Sequence, residues 1–127
     1  HIAKINNNKK LDCLVLGFTF KENCPDIRNT KIYDIFIDAK KIFKTVDVYD
    51  PVANKIDVFK NYKFNLLSRP KKNHYDAIII LVNHNYFKKI GFDNILKLSK
   101  IKSIVYDFKN IFKLKKNIVL KNEYIAR

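Results

Sequence analysis

From residue 11 onward, short apolar runs alternate with segments in which apolar residues recur every three or four positions. Leu11–Phe18 (LDCLVLGF) and Ala77–Val82 (AIIILV) are runs of the first kind. Each is too short for a helix of ordinary length and suits a buried strand. The second is β-branched throughout its centre, which implies burial on both faces and hence a parallel sheet with helices on each side. Val46–Tyr49 is a third strand, closed by Asp50-Pro51 because proline cannot donate to a continuing ladder. Ile104–Tyr106 is a fourth, ending at Asp107, and Tyr62–Leu67 and Ile118–Leu120 are further short candidates, the latter at an edge. Between these lie the helical stretches. Ile32, Ile35, Phe36, Ala39, Ile42 and Phe43 form one apolar stripe, with Asn29 or Thr30 as its cap. Val52–Phe59 and Phe92–Leu98 carry weaker stripes. The alternation predicts an α/β fold: an open, mostly parallel, Rossmann-like sheet with helices on both faces.

In such sheets ligands sit beyond the carboxyl ends of the strands. That rule selects three loops, Gly17–Arg28, Asn83–Tyr86 and Asp107–Lys109. Residues 1–10 (HIAKINNNKK) read as a linker or the tail of an upstream helix, and 11–127 as one domain. A domain of this size buries roughly two-thirds of its unfolded surface. With His first and no Met anywhere, the expectation is a fragment of a longer polypeptide. No apolar run approaches the length of a membrane span, and no charged-then-apolar leader opens the chain. A cytoplasmic setting is the expectation.

Charge enlarges the list of functions before narrowing it. The formal net charge is +14, which invites a polyanion such as RNA. Yet 23 of the 26 cations are Lys, they are spread along the whole chain, and Lys, Asn and Ile make up 56 of the 127 residues. Their codons are AT-rich, so mutational bias is an economical source of the surplus. The basic stretch Lys109–Lys121 reads as a solvated face. Cys13 lies in an apolar run and Cys24 in a polar loop, a spacing that supports neither a disulfide framework nor a zinc site. No metal is expected.

Polar chemistry concentrates in the first loop, GFTFKENCPDIRNT, which follows a strand and feeds a helix N-terminus. This is the setting that receives anions. The only glycines are Gly17 and Gly91, so a Gly-x-Gly-x-x-Gly cradle is missing. Lys21 and Arg28 instead offer charged donors to phosphate oxygens, and Phe20 a flat apolar surface. The competing reading leaves both cations solvated. Asp26 either pairs with Arg28 or accepts N–H groups at the helix start. His84 lies at a ligand edge, where capping the next turn is its expected task. Catalysis by Cys24 has no base placed beside it.

The segment VLGFTFKENCPDIRNTKIYDI resembles the opening of the C-terminal, UDP-binding domain of the UDP-glucose/GDP-mannose dehydrogenases. VDVYDP, YDAIIILVNHNYF and IVYDFKNIF agree in the same order, so the resemblance covers residues 11 to about 115. The family oxidises the C6 alcohol of a nucleotide sugar to a carboxylate with two NAD and a cysteine thioester. The resemblance implies that Phe20, Lys21 and Lys109 contact the UDP-sugar and that Arg28 reaches NAD held by an N-terminal domain. It implies structural roles for Asp26 and Asp50, and no catalytic residue in this stretch. The form KENCPDIRNT is similar to the branch acting on UDP-N-acetylhexosamines in bacterial polysaccharide synthesis. N-terminal and central domains, and a homodimer or larger assembly, are the implied partners. The alternatives are a small basic module that binds RNA without catalysis and an inactive remnant.

Overall fold

The computed structural model describes residues 10–28, 30–113 and 123–126. Among these residues five strands form one sheet: β1 (Asp12–Leu16), β2 (Thr45–Tyr49), β3 (Tyr75–Ile80), β4 (Ser99–Asp107) and β5 (Glu123–Ala126). Their order is β2-β1-β3-β4-β5 and every pairing is parallel. The helices are α1 (Ile32–Ile42), α2 (Lys55–Tyr62), α3 (Asn85–Ile90) and α4 (Phe92–Leu96).

The period-two geometry of a strand explains why β1 from Cys13 and β3 from Ala77 are apolar to their ends. Cys13, Val15, Ala77 and Ile79 face one core, which α1 and α2 cover with Phe36, Ala39 and Val58. Leu14, Leu16, Ile78 and Ile80 face the other, closed by Phe87 of α3 and Ile95 of α4. A strand with helices on both sides has no solvent face on which to place polar residues.

Strand order reverses between β1 and β3. The chain leaves β1 toward β2 on one side and continues from β3 toward β4 and β5 on the other. Gly17 sits at this crevice with φ +102°, and a Cβ there would lie 2.6 Å from Cβ of Val82. Only glycine lets the two strand ends approach so closely.

Several expectations need correction. Tyr62–Leu67 is not a strand. Lys63 ends α2 in the left-handed conformation (φ 61°), and of the following residues Leu67 donates one backbone bond to the carbonyl of Val48. The alternating apolar residues instead serve an aromatic cluster. Phe18 packs edge-on against Tyr62 and Phe64 at 5.1 Å, and Phe36 stacks on Phe64 at 4.4 Å. The helix expected over 52–59 begins later, at Lys55, because Asn54 caps it by accepting from the N–H groups of Ile56 and Asp57. The helical stretch at 92–98 is shorter, and α3 precedes it at a site where no helix was expected. Thr30 accepts from the N–H of Ile32, but the N-cap of α1 is Lys31, whose side chain makes no cap bond. Asn29, the linker at 1–9 and the edge strand expected at 118–120 lie outside the described residues.

Candidate functional site

The loops that follow β1, β3 and β4 frame a cleft of about 460 Å³ at the carboxyl end of the sheet. It occupies the crevice where the strand order reverses, the position at which doubly wound sheets bind ligands. Phe20 and Lys21 line it from the first loop, Lys109 and Phe108 from the last, and Thr30, Ile32 and Ile35 from the start of α1. Phe20, Lys21 and Lys109, remote in sequence, therefore meet at one concavity. Arg28 does not join them. It borders a separate shallow depression with Ile27, Asn61 and Tyr62.

Two phenylalanines two positions apart show how the loop turns. Phe18 is fully buried in the aromatic cluster, whereas Phe20 is 59% exposed. An exposed ring beside ammonium groups offers an apolar surface for a planar ligand and charged donors for an anion. Asn83 adds a polar group that sequence reasoning did not single out. The residue lines the cleft, and its side-chain oxygen is buried with no hydrogen-bond partner among the described residues. A buried acceptor left unpaired is costly unless something donates to it. Its place in the Asn83–Tyr86 loop was the available signal.

Buried carboxylates hold the loops in place. Asp50, at the end of β2, accepts at Oδ2 from the N–H groups of Phe18 (2.6 Å) and Thr19 (3.1 Å) and at Oδ1 from those of Val52 and Ala53. Burial opposes its ionisation, but the hydrogen bonds from His84 and from the backbone outweigh that and hold its carboxyl below the usual range. Asp107 anchors the last loop, accepting from the N–H groups of Ile111 (2.9 Å) and Phe112 (3.0 Å) around the turn that carries Lys109.

His84 corrects the capping expectation. It stands before α3, but its side chain makes no cap bond. The ring is fully buried, with Nε2 2.9 Å from Asp50 Oδ2 and Nδ1 accepting from the N–H of Asn23 at 2.9 Å. Because a backbone N–H can only donate, the proton of the ring sits on Nε2 and is given to Asp50.

Asp26 and Arg28 form a local pair on the surface, with Nε to Oδ1 and Nη2 to Oδ2 both at 3.0 Å. The Arg28 side chain and backbone bonds hold the Asp26 carboxyl down, to about 2. Of the two sequence readings of Asp26, the pairing is the one realised. Cys13 is buried in the core, which pushes its thiol up and leaves it inert, and Cys24 is partly exposed in the first loop. Among the described residues no group of His, Cys, Asp or Glu is arranged to hold a metal ion, and no helix is long and apolar enough to cross a membrane. A second cleft, of about 470 Å³, lies on the α3–α4 face and includes none of Phe20, Lys21, Arg28 or Lys109.

Comparison with known proteins agrees with this geometry. Residues 14–114 match the UDP binding domain of the UDP-glucose/GDP-mannose dehydrogenase family. The chain is 43% identical over 110 residues to a UDP-N-acetyl-D-glucosamine 6-dehydrogenase of Salmonella typhi, covering 87% of this chain and 26% of that protein. It is 43% identical over 96 residues to the enzyme of the same name from Pseudomonas aeruginosa, covering 76% of this chain and 23% of that one. The chain thus spans about a quarter of the length of these curated relatives. Among solved structures, a UDP-D-ManNAc dehydrogenase from Pyrococcus horikoshii superposes with a TM-score of 0.70 at 25% identity, covering 98% of this chain and 28% of that one. The Staphylococcus aureus UDP-N-acetyl-mannosamine dehydrogenase Cap5O shares the fold, with a TM-score of 0.68 at 22% identity, covering 98% of this chain and 27% of that one. The chain belongs to the UDP-glucose/GDP-mannose dehydrogenase family, as its UDP binding domain.

Proposed function

We propose that this domain holds the nucleotide sugar of an NAD-dependent dehydrogenase that oxidises the C6 alcohol of a UDP-N-acetylhexosamine to a carboxylate. The observation that carries the reading is the meeting of Phe20, Lys21 and Lys109 in one cleft at the strand-order reversal. Lys21 and Lys109 answer the oxygens of the diphosphate and sugar, and Phe20 presents its ring to an apolar or planar part of the ligand. Asn83 lines the same cleft, and rotation of its amide would bring the buried Oδ1 to a ligand hydroxyl or N–H. The two relatives named for UDP-N-acetyl-D-glucosamine support the N-acetylhexosamine branch. Bacterial polysaccharide synthesis in the cytoplasm is the setting that follows, with a homodimer or larger assembly formed through other parts of the enzyme.

NAD would supply the hydride acceptor. The residues of this chain do not fit a dinucleotide site of their own, since no glycine-rich turn follows β1 and Gly17 is consumed by packing against Val82. Arg28 projects from the surface, with its side chain 85% exposed, and is the group this domain offers toward a cofactor held elsewhere. Chemistry proper lies outside the chain, and binding is the task of these residues.

Calorimetric titration of UDP tests the reading. A charge-assisted hydrogen bond contributes ~1.5–3 kcal/mol, so Lys21→Ala is expected to weaken UDP about ten- to a hundredfold. In the intact enzyme NAD binding should stay nearly unchanged. Equal UDP affinity in variant and parent would refute the assignment. Salt separates this reading from RNA binding, because a few phosphate contacts give a shallow log-log slope and a polyanion a steep one.

A further inference from the structure

We propose that His84 is the positioning residue of the nucleotide-sugar loop, holding Phe20 and Lys21 in the cleft without touching the ligand itself. The proposal rests on the nucleotide-sugar reading of that cleft. It begins from a buried histidine that does not line the cleft and whose side chain makes no cap bond to α3.

The bonds define what His84 joins. Nδ1 accepts from the N–H of Asn23, two residues beyond Lys21. Asn23 returns the contact, its side-chain oxygen accepting from the N–H of Asn85 at 2.8 Å. Asn23 has φ 58°, a left-handed conformation that costs energy and is retained only where its surroundings fix it. On its other side the ring reaches Asp50 Oδ2, which also accepts from Phe18 and Thr19 at the base of the loop. Thr19 Oγ1 lies 3.2 Å from Nε2 and donates to the carbonyl of Lys21 at 2.9 Å. One ring thus ties both ends of the Phe18–Asn23 segment to the ends of β2 and β3. The three residues between the ties, Phe20, Lys21 and Glu22, all line the cleft.

A purely structural role would ask only that Asp50 keep its N–H partner. Two isosteric variants separate the roles. His84→Gln places an amide nitrogen near the position of Nε2 and can satisfy Asp50, but gives nothing to Asn23. His84→Asn places its oxygen near Nδ1 and keeps the bond to Asn23. The two cysteines report on the result, since Cys24 lies within the loop and Cys13 in the core. In His84→Gln, modification of Cys24 by a thiol reagent is expected to quicken about tenfold while Cys13 stays protected, and UDP is expected to bind about tenfold more weakly. His84→Asn should stay closer to the parent in both readouts.

A Cys24 rate and a UDP affinity within about twofold of the parent in His84→Gln would overturn the proposal. If that variant unfolds, seen as joint reaction of both cysteines, amide hydrogen exchange of the parent decides instead. Slow exchange at the Asn23 N–H, the hydrogen that His84 Nδ1 accepts, with further slowing when UDP binds, supports the proposal, and exchange at the rate of an unprotected amide refutes it. A folded parent that takes up no UDP would refute the nucleotide-sugar reading, whereas the Cys24 rates would still decide whether His84 anchors the loop.

Discussion

Asp50 and His84 are linked at 2.9 Å with neither side chain exposed, and Asp26 and Arg28 are linked almost as closely, at 3.0 Å, with the arginine side chain 85% exposed. The two pairs flank the same loop. Their lengths barely differ, and their consequences do. Water can replace either partner of the surface pair, so such a contact adds little to stability. Nothing replaces a partner of the buried pair, and each removal strands a polar group in the core. The buried pair therefore fixes where the loop is, and the surface pair fixes only how Arg28 is presented.

The comparison breaks most visibly at Asp50. Asp50→Ala would leave His84 and the N–H groups of Phe18, Thr19, Val52 and Ala53 without their acceptor. A loss of about 3–5 kcal/mol is expected in urea unfolding, and a loss within the error of the method would show that the pair is not a structural anchor. Gly17→Ala follows, because a Cβ collides with Val82 and the φ is unsuited to alanine. A cost of about 1–3 kcal/mol is expected, with weaker UDP binding as the cleft shifts.

Acid sharpens the comparison further. The Asp50 carboxyl is held below its ordinary value in the fold, so the native state prefers it ionised. Its contribution is complete above the unfolded value of about 3.9 and is lost as pH falls through the lower native value. Thermal midpoints should therefore drop below about pH 4, and Asp50→Asn should flatten that drop. Asp26 also titrates low, to about 2, but on the surface, so Asp26→Asn should leave the profile nearly unaltered.

Smaller effects come from the cleft and its margin. Asn83→Ala removes an unpaired buried oxygen and should raise stability slightly while weakening UDP a few-fold, if the ligand donates to that oxygen. Unchanged UDP affinity would remove Asn83 from the site. Arg28→Ala should change neither the unfolding midpoint nor UDP binding, and in the intact enzyme should raise the NAD requirement. Unchanged NAD kinetics would count against that role.

Much of the site was legible in the chain because its signals are local. Phe20 and Lys21 stand in the loop after an apolar run, and Lys109 follows the aspartate that ends another. Strand ends in a parallel sheet share one edge, so naming the loops was enough to predict that they assemble there. His84 was read as a cap for the next turn for an equally local reason, since it follows a buried strand and the chain carries no mark of which way a ring points. The same blindness turned Tyr62–Leu67 into a strand. Its alternation is real, but it feeds an aromatic cluster with Phe18 and Phe36 rather than a ladder.

The amino-acid order by itself determined the buried strands, the sheet type and the loops that bear the chemistry, because burial on two faces demands apolar residues at every position. Tertiary structure decided that Lys21 and Lys109 share a cleft while Arg28 stands apart, and that Asp50 meets His84 instead of solvent. Those outcomes depend on separations between residues remote along the chain, which only the packed sheet sets.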